Sequence, residues 1–284
     1  VNKRQQLLAL HSLIPWPWNR LRPIFDYLTS SHPFPTEIPN IPNVVLQKWP
    51  EASTFPFDLY YEQHTITPIT IFDTSYPARL KELHDPPAVI YIKGHAELLQ
   101  KRTMAIIGSR KATSYSKECI AHFMPYFKEQ NWGICSGMAV GADTMAHEAA
   151  LSHDVSTVAV LGSGFQFIYP PSNRKLFERL VNHHLVISEY PPHTAISPHQ
   201  FIARNRIISA LSDGLLVTEA EKKSGTMSTV EFSLDLGKEV FTVPGRIDSP
   251  LSAGPHFLLQ QGAQLLHSIE DLHHILGTQK NFVR

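Results

Sequence analysis

Six short apolar runs, separated by segments with helical spacing, dominate the middle and end of the chain. They read TMAIIG (103–108), WGICSG (132–137), STVAVLG (156–162), HLVIS (184–188), GLLVTEA (214–220) and EVFTVPG (239–245). Each run is continuous rather than alternating, as expected of a strand covered on both faces. Helical spacing fills 114–130, 142–152, 173–182, 203–212 and 226–236. Strand, crossover helix and strand in repetition predict an α/β fold with a doubly wound, mostly parallel sheet. The character changes at ITIFDTSYPARLKELHDPPAVIYIKG (69–94), and 256–276 predicts a helix, a short strand and a last helix. No internal repeat or low-complexity tract interrupts this order.

The N-terminal part is different. Residues 3–30 place Leu7, Leu8, Leu10, Leu13 and Ile14 at helical spacing, which predicts one or two helices. The four prolines of 31–43 exclude a long helix there. Residues 1–65 are therefore expected to form a small helical accessory domain, and 66–284 the sheet domain. Trp16, Trp18, Phe25 and Tyr27 are expected in the accessory core rather than on a base-stacking surface.

Composition narrows the picture. At 284 residues and 43% hydrophobic content, the chain can bury a sizeable core. Lys plus Arg and Asp plus Glu each number 25, so any anion site must come from local clustering. The two cysteines, Cys119 and Cys135, are no disulfide framework and suit a reducing compartment. No apolar stretch is long enough to span a bilayer, and PWPW breaks the N-terminal run, so a cytoplasmic protein without a membrane partner is expected.

Ligands of open parallel sheets bind beyond the carboxyl ends of the strands. Here those ends read GSRKATSYS, SGMAVGAD, GSGFQFIYPPSN, SEYPPH, TEAEKKSGTMST and PGRIDSP. Nearly all supply Gly, Ser or Thr just before a helix, where unpaired backbone N–H groups receive anions. The small residues Gly137, Ala139 and Gly141 are expected to let the backbone approach a phosphate. Arg110, Lys111, Arg174, Lys175, Arg204 and Arg206 add positive charge to the same edge. In FIARNRIISALSDG, Arg204, Asn205 and Arg206 open a helix whose next residues should be buried. Their charges serve a ligand or an internal ion pair, and the sequence leaves both open.

Catalytic signals are thin. The chain lacks H-E-x-x-H, G-x-S-x-G, the P-loop pattern, G-x-G-x-x-G and metal-spaced Cys/His groups, so no metal or cofactor is expected. Asp143 reads as an early-helix acid, and His147 as structural. Glu189 and Glu219 are expected to pair with Arg204 or Arg206. Cys135 should be buried and inert.

The ordered set GSR (108–110), SGMAVGAD, YPPSN (169–173), SEYPP, RNRIISALSD, VTEA, KSGTMSTV and VFTVPG resembles the bacterial DNA processing protein A, or Smf, family. The likeness covers roughly residues 66–275. It implies a Rossmann-like, non-enzymatic protein that binds single-stranded DNA, protects incoming DNA in natural transformation or recombination, helps load RecA recombinase and forms a homodimer. It also implies a nucleic-acid site at Gly108, Ser109, Arg110, Lys111, Ser136, Gly137, Gly141, Arg174, Lys175, Arg204, Asn205 and Arg206. Self-association or RecA contact would fall to Glu231, Asp235, Leu258, Leu259 and Leu265. Three departures stand out: AGPHFLL replaces the usual G-T-N, Pro171 stands where lysine often follows YP, and the end at Arg284 leaves no room for the family's C-terminal winged-helix module. The rival reading is a nucleotide-cleaving phosphoribohydrolase. It expects a glutamate directly behind Gly-Thr, whereas Glu231 lies about a helical turn beyond Thr226.

Overall fold

The structure, a computed structural model, describes residues 2–29 and 40–278. Most of the proline-rich 31–43 segment and the chain end at Arg284 lie outside the described residues. Four helices come first: α1 (Lys3–Leu13), α2 (Trp18–Thr29), α3 (Asn43–Ala52) and α4 (Phe57–Gln63). Then follow β1 (Thr67–Thr70), α5 (Ala78–Lys81), β2 (Val89–Gly94), β3 (Thr103–Ile107), α6 (Ser114–Glu129), β4 (Gly133–Ser136), α7 (Ala142–Ser152) and β5 (Thr157–Leu161). The last part holds α8 (Arg174–His183), β6 (Leu185–Ser188), α9 (Pro198–Leu211), β7 (Gly214–Val217), α10 (Gly225–Asp235), β8 (Glu239–Thr242), α11 (Ala253–Gln260), β9 (Gln264–Leu265) and α12 (Ile269–Thr278).

One sheet runs β1-β2-β6-β5-β4-β3-β7-β8-β9. From β6 to β9 all neighbours are parallel, whereas β1 and β2 extend the β6 edge in antiparallel pairing. The six apolar runs are thus the parallel strands β3 to β8. Of the two antiparallel strands, β2 lies in the 69–94 region, where the sequence marked a change without resolving elements, and β1 straddles its start.

Register explains why those runs are continuous. Leu185, Val158, Cys135, Ala105, Leu215 and Val240 pair across six strands in one row. All six face the core beneath α9, α10 and α11, with Ile207, Ile208, Leu211, Val230 and Leu258. The next residues, Ile106, Leu216 and Phe241, face the opposite core under α6, α7 and α12. Period-2 alternation therefore feeds two cores, and every position must be apolar. Each fully buried Leu or Ile contributes about 2 kcal/mol by leaving water.

The N-terminal helices join this framework. Leu7, Leu8, Leu10, Leu21 and Phe25 share a core with Val89, Tyr91, Ala159, Leu161 and Val186 of the sheet. Trp18 meets Phe25 and Phe72 edge-on, which places it in packing as expected. Among the described residues, no helix is long and apolar enough to cross a membrane.

Helix α9 begins at Pro198, earlier than its expected start near 203. Ser197 and Gln200 form a capping box, and Pro198 occupies the first helical position, where its missing N–H costs nothing. Arg204 and Arg206 consequently lie a turn or more inside the helix rather than at its opening. α9 carries the chain back across the sheet from β6 to β7, on the far side of β3. The strand order reverses between β3 and β7, which opens a crevice at their carboxyl ends.

Candidate functional site

A cleft of about 650 Å³ occupies that crevice. One wall is the turn after β3, with Gly108, Ser109, Arg110 and Lys111. A second is the start of α10, where Glu221, Ser224, Gly225 and Thr226 line it. The third is α9, through Phe201, Ile202, Arg204 and Asn205. A smaller hollow of about 80 Å³ continues past Val140, Tyr169 and Pro170. Ser224 caps α10 without a side-chain bond to it, and Gly225 has open space where a Cβ would stand. The first N–H groups of this helix thus meet the cleft with no bulk in the way.

The outer charges are lightly committed. Arg110 is exposed and makes no ion pair among the described residues. Lys111 approaches Glu221 at only 3.8 Å, with both side chains exposed. Below Arg110, the Lys111 N–H donates to the Ser109 hydroxyl at 3.0 Å, and Ser109 N–H donates to the Glu219 carbonyl at 2.6 Å. The turn is therefore held from beneath while its cations face outward. Apolar surface completes the cleft: Tyr169, Ile196 and Ile202 are 44%, 40% and 57% exposed, and Tyr169 lies against Phe201 with ring centres 5.5 Å apart.

A second layer of charge is sealed under this surface. The Arg204 guanidinium donates to the carbonyls of Gly137 and Val160, and its Nε donates to Asn205 at 3.1 Å. Asn205 in turn donates to the Ser228 hydroxyl at 3.0 Å. Burial lowers the Arg204 pKa, and the nearby Asp143 charge opposes that fall. Burial also raises the Asp143 pKa, countered by Arg204 and by the Ala139 N–H, which donates to its carboxylate at 3.3 Å. Arg206 contacts Glu189 at 2.6 Å and Asp85 at 3.1 Å. Glu189 is pushed up by desolvation and pulled back by Arg206.

These positions correct several expectations. Arg206 is 3% exposed and turned to acids, so it braces the fold instead of lining the cleft. Of the alternatives for RNR, the internal pair describes Arg206, while Arg204 reaches the cleft wall with its bonding spent on carbonyls. Glu189 pairs with Arg206 as expected. Glu219 does not pair with arginine: it accepts from Thr113 N–H at 2.7 Å and from Ser116 at 2.9 Å, fixing the start of α6. Ser136 is fully buried and donates to the Ile106 carbonyl at 2.6 Å, so its hydroxyl is unavailable to a ligand.

The bare turn between β4 and α7 is also explained from within. A Cβ at Gly137 would collide with the Arg204 guanidinium. Gly141 has φ +81°, and a Cβ there would strike the Ser109 carbonyl. Both glycines let protein approach protein, and Gly141 seats the β3 turn. Arg174 and Lys175 are exposed at the start of α8, outside the cleft wall, with Arg174 3.6 Å from Glu178. Leu258 is core, so it offers no contact surface, while Leu259 is half-buried and Leu265, Glu231 and Asp235 are exposed. Glu231 lies outside the cleft wall, whose acids are Asp143 and Glu221.

Three other groups settle quietly. His147 is buried, bonded to Thr157 at 2.8 Å, and held down to a pKa of about 3, chiefly by desolvation. Burial pushes the Cys135 thiol up to about 12, which leaves it inert. The apolar wall of Tyr169, Phe201 and Ile202 was not singled out from sequence. The S-P-H-Q capping box at 197–200 was its available signal, because it moves the helix start and turns Phe201 and Ile202 into helix-face residues.

A doubly wound sheet with a partly apolar cleft at its switch point defines a Rossmann-like α/β protein. Comparison with known proteins sharpens the class. The chain belongs to the DNA recombination-mediator protein A family, whose model matches residues 67–277. It is 41% identical over 213 residues to DNA processing protein DprA of Bacillus subtilis, covering 75% of this chain and 72% of that protein. A solved structure of DNA processing protein A from Streptococcus pneumoniae superposes with a TM-score of 0.81 at 30% identity, covering 97% of this chain and 98% of that one. Another, from Helicobacter pylori and described for its single-stranded DNA binding mode, gives 0.68 at 31% identity, covering 75% of this chain and 96% of that one.

Proposed function

We propose that this protein binds single-stranded DNA along the carboxyl edge of its sheet, protects incoming DNA and acts as a recombination mediator that helps load RecA recombinase. In this reading it works in the cytoplasm as a homodimer and by binding, without covalent chemistry. Arg110 and Lys111, with the N–H groups opening α10, take the phosphates. Tyr169, Phe201 and Ile202 offer apolar surface to the bases. Arg204, Asp143 and Asn205 hold the wall rigid from behind. Glu231, Asp235, Leu259 and Leu265 remain the exposed candidates for contact with RecA or a second copy.

One observation carries the reading. An unpaired arginine and an open helix N-terminus line one cleft at the switch point, in a chain that belongs to this family. Phosphate contacts of this kind read no sequence, and apolar stacking accepts any base. Binding of fluorescent oligo(dT) should therefore fall linearly on logarithmic axes as salt rises, with a slope of about −0.7 per phosphate neutralised. Equal affinity for a duplex, or no binding at low salt, would overturn it.

A further inference from the structure

A second hollow, of about 560 Å³, lies at the opposite, amino-terminal edge of the sheet. Its walls come from the segment after β2, the end of α7, the residue before β5 and the end of α8. His95 N–H donates to the His184 carbonyl at 2.8 Å, and Gly94 lies so close to that carbonyl that a side chain would not fit. The two histidine-bearing segments are thus locked together by backbone.

The hollow holds a cation that has no ion-pair partner among the described residues. Its two acids are already engaged: Glu97 contacts His95 at 3.1 Å, and Asp154 pairs with Lys128 at 3.1 Å. Arg179 is not. Arg179 is exposed on α8 and makes no ion pair among the described residues. Lys101, outside the lining, donates only to neutral oxygens, at 2.8 Å to Asn131 and 2.9 Å to the hydroxyl of Ser156, which does line it. His184 accepts the Thr157 N–H at Nδ1, at 3.4 Å, so its proton sits on Nε2 and is free to be donated. His183 is exposed beside it, while His153 turns away to the Ala149 carbonyl at 2.9 Å.

We propose that this hollow binds the oxyanion of a phosphate group, held by Arg179, by the Ser156 hydroxyl with Lys101 behind it, and by the Nε2–H of His184. Charge-assisted donors suit phosphate oxygens better than any apolar ligand. The state of His184 supports the site. Its pKa is lowered first by burial and then by the basic side chains His183, His95, Arg179 and Lys101. A bound phosphate would reverse that field and draw a proton onto the ring. The site is separate from the cleft, because it lies at the other ends of the strands.

The test follows the His184 imidazole by NMR in chloride buffer, using inorganic phosphate and unphosphorylated oligo(dT) as separate probes. Phosphate should raise the His184 titration midpoint, and Arg179→Gln should weaken that response about tenfold, as loss of one charge-assisted contact does. A response to inorganic phosphate alone identifies a free phosphate ligand, and a response to oligo(dT) identifies a DNA backbone. Either upholds the site. Lys101→Gln serves as a second variant, and an unchanged unfolding midpoint in both confirms the fold. No movement of His184 with either probe, or an undiminished response in Arg179→Gln, overturns the proposal.

Discussion

Arg110 and Arg206 both belong to motifs at the same edge of the sheet, yet the structure uses them in opposite ways. Arg110 stands exposed on a turn and faces a cleft without an acid partner. Arg206 is buried between Glu189 and Asp85, with its charge consumed by the fold. Equal charge in equally prominent motifs therefore carries unequal meaning. What separates them is the element beneath: a turn lifts its side chain to solvent, whereas the sheet-facing side of α9 drives its own into the core. Arg204 stands between the two, touching the cleft but bonded to backbone carbonyls.

The largest effect should come from breaking the buried side of this contrast. Glu189→Ala leaves the Arg206 guanidinium sealed without its closest partner, and urea unfolding should show a loss of about 3–5 kcal/mol. A loss below about 1 kcal/mol would show that Arg206 is less committed than its geometry indicates. The β4–α7 turn tests the same inner layer through backbone. Gly141→Ala should cost about 2 kcal/mol, because its φ of +81° and the Ser109 carbonyl both oppose a side chain.

Acid should loosen the inner layer as well. His11 and His147 are both held neutral by burial, with pKa values of about 3 against an ordinary 6.5. Above 6.5 neither state binds these protons, and the full stability is present. Below it the unfolded chain protonates first, so urea midpoints should fall from pH 6.5 toward 3, by up to about 1.4 kcal/mol per pH unit for each histidine. A flat profile across that window would contradict neutral burial. The exposed start of α8 should respond least: Arg174→Ala and Lys175→Ala should shift Tm by no more than about 2 °C.

The framework was legible because continuous apolar runs have few other uses. Six of them named the parallel strands, and the spacers named their crossover helices. The antiparallel strands β1 and β2 were harder, since prolines and charged residues crowd 69–94 and the pairing partner of β2, β6, lies far along the chain. At the site, sequence found the turn at 108–111 but could not divide its cations into outer and inner layers. That division depends on which side of a helix faces the sheet, and a five-residue shift in the start of α9 was enough to conceal it. The same limit applies to the glycines of SGMAVGAD. Their spacing announces a close approach, and only packing reveals that Arg204 and the Ser109 carbonyl are what approaches.

The central claim is that Arg110 serves a ligand while the residues beneath it serve the fold. The most direct measurement compares Arg110→Ala with the parent chain in oligo(dT) titrations across a salt series, with circular dichroism and Tm followed in parallel. Affinity should fall about tenfold, and the salt slope should shrink by about 0.7, with secondary structure and Tm unchanged. Unchanged affinity and slope at matched salt would contradict the account.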